Sequence, residues 1–165
     1  MADRTTFSPD EWNLLLQAVM AAGIAVTAAD PSGLWGMLKE GMASSRTLLQ
    51  ARSDATSAPL PAAIAESFET ADGRNAARGR LQATLEGAKP EEIKTRCIAA
   101  VRQAAELVDA KAPADAPAFK NWLLRISTDV AEAAKEGGFL GFGGTPVSDA
   151  EKATVAEVGA ALGLA

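Results

Sequence analysis

The stretch Phe7-Ser8-Pro9-Asp10-Glu11-Trp12 reads as the opening of a helix, and its continuation through Val26 decides the fold class. Ser8 suits an N-cap, where a hydroxyl accepts a hydrogen bond from an otherwise unpaired N–H. Pro9 falls at the first helical position, where the missing N–H loses nothing. Glu11 stands three residues after Ser8 and completes a capping box, while Phe7 and Trp12 occupy the two ends of a hydrophobic staple. Trp12, Leu15, Leu16, Val19, Gly23 and Val26 then recur at helical spacing. Leu14 and Met20 make further faces apolar, which predicts that this helix lies at the centre of the molecule. The apolar run Ala18–Ala29 is a dozen residues long and is broken by Gly23 and Thr27. A membrane span needs roughly 20 residues, so the run predicts a buried core helix and no membrane partner.

The same periodicity continues through the chain. Asp30-Pro31 opens a second helix to about Arg52, with Leu34, Leu38, Met42, Ser45 and Leu49 on one face. Ser53–Pro61, rich in Ser, Ala and Pro, predicts an internal linker. Two short helices are expected next, Pro61–Thr70 carrying Ile64 and Phe68, and Gly73–Leu85 carrying Ala77, Leu81 and Leu85, the latter capped by Asp72. Pro90–Ala110 carries a stripe of Ile93, Cys97, Ala100, Val101, Ala104, Leu107 and Val108. A turn with two prolines, Ala112–Pro117, separates it from Pro117–Glu136, whose apolar face is Phe119, Trp122, Leu123, Ile126, Val130, Ala133 and Ala134. A second capping box, Ser148-Asp149-Ala150-Glu151, opens a last helix that turns Val155, Val158 and Leu162 inward and stops at Gly163. The expected fold is all-α: one domain over residues 1–165, a compact bundle of six to seven helices arranged as antiparallel hairpins.

Composition narrows the functions. Alanine is the commonest residue and aromatics are only 5% of the chain, which favours closely packed helices over strands. The chain has no histidine, no tyrosine and one cysteine, Cys97. Histidine is the commonest general base and metal ligand, so a Ser-His-Asp triad, a His-paired cysteine and a His-ligated zinc are excluded. Cys97 sits within an apolar stripe, where a cysteine behaves as a small hydrophobe. The formal charge of -5 and pI near 4.8 point away from nucleic acid as a partner. Met1–Thr6 lacks the basic and apolar regions of a signal peptide, and a cytoplasmic location is expected.

Three features invite a functional reading. The segment Gly137-Gly138-Phe139-Leu140-Gly141-Phe142-Gly143-Gly144 follows a helix rather than a strand, and it lacks both the P-loop lysine and the G-x-G-x-x-G spacing. It predicts either a finger offering Phe139, Leu140 and Phe142 to a protein partner or to a second copy, or a tight connection whose apolar side chains pack on the core. Asp129, Glu132 and Glu136 stack along one helix flank and offer oxygens of the kind Mg²⁺ or Ca²⁺ prefers, or else form a solvated acidic rim. Arg125, one turn earlier, competes for Asp129. Between Arg74 and Arg102 basic residues prevail (Arg74, Arg78, Arg80, Lys89, Lys94, Arg96 and Arg102), but no aromatics interleave to stack on bases, which predicts a solvated face.

Two further stretches carry a family resemblance. Ala28-Ala29-Asp30-Pro31-Ser32-Gly33, between two apolar helices, resembles the Ala-Asp-Gly turn of TerB-like domains. Gly144-Thr145-Pro146-Val147-Ser148-Asp149-Ala150-Glu151, leading to Leu162-Gly163-Leu164, is similar to their turn, Ser-x-x-Glu cap and closing Leu-Gly-Leu. The chain departs from that pattern where Pro31-Ser32 interrupts the first Asp-Gly and where no Asp-Gly precedes Ser148. The resemblance implies an all-α fold of the tellurite-resistance and stress-associated group, with acidic residues that bind metal.

The expected function is a non-catalytic helical binding or scaffold module without a cofactor. The alternatives are a divalent-cation-binding, TerB-like stress protein, and an enzyme using carboxylate or lysine chemistry in a pocket between helices.

Overall fold

A computed structural model describes residues 1–29, 58–136 and 147–164, and for 133–136 the backbone alone. Among these residues the regular structure is helical: a 3₁₀ turn at Arg4–Thr6 and α-helices α1 (Pro9–Thr27), α2 (Pro59–Ser67), α3 (Ala71–Leu85), α4 (Pro90–Lys111), α5 (Ala116–Glu136) and α6 (Asp149–Ala161). The helices pack on one another with no strand among the described residues, an all-α bundle. The helix expected from Asp30 to about Arg52, and the linker as far as residue 57, lie outside the described residues.

α1 is the central helix, packed against α3, α4, α5 and α6 as well as the short α2. Its start is built as its residues dictate. Ser8 Oγ accepts from the Glu11 N–H at 3.2 Å and the Ser8 N–H donates to Glu11 Oε2 at 2.7 Å, so the capping box is closed in both directions. The Phe7 and Trp12 rings lie 6.0 Å apart, closing the staple. Trp12, Leu15, Leu16, Ala18, Val19, Ala21, Ala22, Ala25 and Val26 are all buried, so α1 is enclosed around most of its circumference.

Three relationships set the arrangement around α1. α4 returns toward its start, where Lys111 Nζ meets Glu11 Oε2 at 2.6 Å. α5 runs alongside α1 in the same sense: Asp115 pairs with Ala2 near the two beginnings, and Ser127 with Ala22 further along. α6 runs back along α5, because Gly159 approaches Leu124 while Gly163 approaches Lys120. Small residues permit these approaches. A Cβ on Gly23 would stand 3.3 Å from Val130 Cγ2. Helices lined by alanine and glycine bring their backbones closer than leucine-lined ones can.

Among the described residues the expected core is found with two adjustments; the side chains of Ala133 and Ala134 lie outside them. Phe119, Trp122, Leu123 and Ile126 of α5, and Cys97, Ala100, Val101, Ala104 and Val108 of α4, are buried. Ile93, Leu107, Val130, Val155 and Leu85 are half-buried, at the margins of their stripes. The short helices begin earlier than their periodicity predicts. α2 opens at Pro59, so Pro59–Pro61 is helix rather than linker; N–H groups in a first turn are unpaired, and two prolines there break no hydrogen bond. α3 opens at Ala71 under Thr70, whose Oγ1 accepts from the Gly73 N–H at 3.0 Å, and Asp72 lies inside the first turn instead of capping it.

Candidate functional site

The interior holds five polar or charged side chains among the described residues: Gln17, Asp115, Ser127, Glu151 and Thr154. Burying such groups without partners is costly, so their partners reveal what they are for. Gln17, 1% exposed amid the apolar middle of α1, is satisfied at both ends of its carboxamide. Its Nε2 donates to Thr84 Oγ1 at 2.6 Å, and its Oε1 accepts from Arg80 Nε at 3.0 Å, which locks α3 onto α1. Ser127 donates to the Ala22 carbonyl oxygen at 2.8 Å, tying α5 to α1. Asp115, in the turn before α5, accepts from the Ala2 N–H at 2.9 Å and holds residues 2–7 against the bundle. Glu151 accepts from the Ser148 N–H at 2.9 Å, and Thr154 donates to the Ala150 carbonyl at 2.8 Å within α6. Trp12 adds one more tie, its Nε1 donating to Ser67 Oγ at 3.3 Å.

The basic segment is not the uniformly solvated face expected of it. Arg74 Nη1 donates to the carbonyls of Phe68 and Glu69 at 2.8 and 2.9 Å, closing the C-terminal end of α2. Arg96 Nη1 donates to the carbonyls of Thr84 and Glu86 at 3.1 Å each, closing the end of α3. Both satisfy carbonyls that a helix end leaves without partners. Arg80 is spent on Gln17, and Lys94 pairs with Glu157 of α6 at 3.1 Å. Arg78, Lys89 and Arg102 remain exposed. Repeated polarity in sequence cannot separate a guanidinium aimed at a carbonyl from one in water, and the clamping role therefore leaves no mark in the sequence.

The other singled-out residues fare differently. Asp129 is half-buried and Arg125 exposed, each already engaged in an interaction, while Glu132 is exposed. The side chain of Glu136 lies outside the described residues, and among those described no group of three or more acidic or cysteine side chains is placed to hold a metal ion. Phe139, Leu140 and Phe142 also lie outside the described residues, as does Asp30. The expected capping box at the start of α6 forms: Ser148 Oγ accepts from the Glu151 N–H at 3.1 Å. Cys97 is fully buried, and desolvation pushes its thiol up to about 12, so it stays protonated near neutral pH and is not an activated nucleophile.

Sequence reading passes over the ties made by Gln17, Ser127 and Asp115. A signal exists for the first, since Gln17 interrupts an apolar stretch on a helix expected to be central. For Asp115 there is none, because its partner is a backbone N–H at the far end of the chain. Comparison of the chain with protein-family models, curated proteins and solved structures gives no match.

Proposed function

We propose that this chain is a non-catalytic helical binding or scaffold module, whose partner is another protein or a second copy of itself. The observation supporting this reading is the commitment of the buried polar side chains to architecture. Gln17, Asp115 and Ser127 fasten one part of the bundle to another, and Glu151 and Thr154 are satisfied within α6 and its cap. An enzyme built on carboxylate or lysine chemistry keeps a perturbed acid or base poised toward its substrate. The buried thiol of Cys97 is held in its inert form.

The contact residues of the proposal are Phe139, Leu140 and Phe142. Phenylalanine is among the aromatic residues enriched at protein interfaces, and here two stand among glycines. Sedimentation velocity and thermal melting of the Phe139→Ser/Phe142→Ser variant beside the wild type test it. Loss of association at an unchanged melting temperature supports the finger; a large fall in melting temperature makes both phenylalanines core residues and sinks it. Calorimetric titration with Mg²⁺, Ca²⁺ and Mn²⁺ tests the alternative. A saturable heat that disappears in Asp129→Asn would replace the scaffold reading with a cation-binding one.

A further inference from the structure

We draw no further inference here: the strongest candidate, the basic surface patch contributed by α3 and α4 around Arg78 and Arg102, has its other arginines Arg74, Arg80 and Arg96 engaged in holding helices, and nothing in the structure shows what covers the remainder.

Discussion

The hydroxyl of Ser127 lies 2.8 Å from the carbonyl oxygen of Ala22, a buried hydrogen bond between side chain and backbone where α5 meets α1. Close by, Gly23 leaves just enough room for Val130. Gly23→Ala sets a helix-propensity gain of about 0.8–1 kcal/mol against crowding of Val130. The single variant is therefore expected near neutral, whereas in a Val130→Ala background the same change should stabilise by up to about 1 kcal/mol. Urea unfolding of the four chains of this double-mutant cycle reads the difference, and strict additivity would mean that the two residues do not touch.

A second glycine gives a sharper contrast. A Cβ on Gly73 would lie within 1.9 Å of the Ser67 carbonyl oxygen, whereas one on Gly79 meets nothing within 4 Å. Backbone cannot swing aside as a side-chain tip does. Gly73→Ala should destabilise by about 1–3 kcal/mol, while Gly79→Ala should stabilise by up to about 1 kcal/mol. Equal melting temperatures for the two variants would refute the close passage between α2 and α3.

Trp122 is 5% exposed on the inner face of α5. Its truncation to alanine should destabilise by about 3–5 kcal/mol. Ser8→Ala and Ser148→Ala each remove an N-cap acceptor and should cost about 1 kcal/mol. Denaturant midpoints report all three, and a loss below roughly 1 kcal/mol for Trp122 would put it at the surface.

Two carboxyls among the described residues are held low: that of Asp3, by hydrogen bonds from Thr5, and that of Glu11, which ties two helices together. Hydrogen bonds from Lys111 and from the Ser8 N–H hold its carboxyl below the ordinary value of 4.5. A carboxylate depressed in the folded state contributes stability that is present above its unfolded pKa and lost as pH falls through the folded one. The wild type should therefore lose melting temperature below about pH 4.5 faster than Glu11→Gln does. Because the Lys111–Glu11 pair lies at the surface, added salt should shrink the difference. Parallel pH profiles of the two proteins would contradict the assignment.

Cys97 offers a probe of opening. With its thiol buried and raised to about 12, it should ignore a thiol reagent at pH 8 in the native protein and react fully in guanidinium. Immediate stoichiometric labelling of the native chain would place it at the surface.

How much of this is legible in the sequence depends on the range of the interactions. The Ser8–Glu11 and Ser148–Glu151 caps are readable because four consecutive residues contain all their atoms. The stripes through Trp12, Cys97 and Trp122 are readable because a helix makes a neighbour of every third and fourth residue. The start of α3 is not. Thr70 and Asp72 are both good caps by chemistry, and the choice falls on Thr70, whose Oγ1 also donates to the Ser67 carbonyl at 2.9 Å. That second bond closes the short turn after α2, and cap chemistry alone does not say which of the two candidates stands where it can form. For the candidate site, residue types rule out histidine chemistry, but the engagement of Asp129 and the duties of Arg74, Arg80 and Arg96 depend on three-dimensional neighbours that no spacing rule contains.

The two arginine clamps couple the opening of neighbouring helices. Arg74 belongs to α3 but closes α2, and Arg96 belongs to α4 but closes α3. Fraying of α4 at its beginning thus exposes the last carbonyls of α3, and unwinding of α3 does the same to α2. Loss propagates backward along the chain, each helix guarding the one before it. In hydrogen-exchange terms, the amides of α2 should share a cooperative unit with those of α3 and the first turns of α4, although α2 is only nine residues long and would not persist alone.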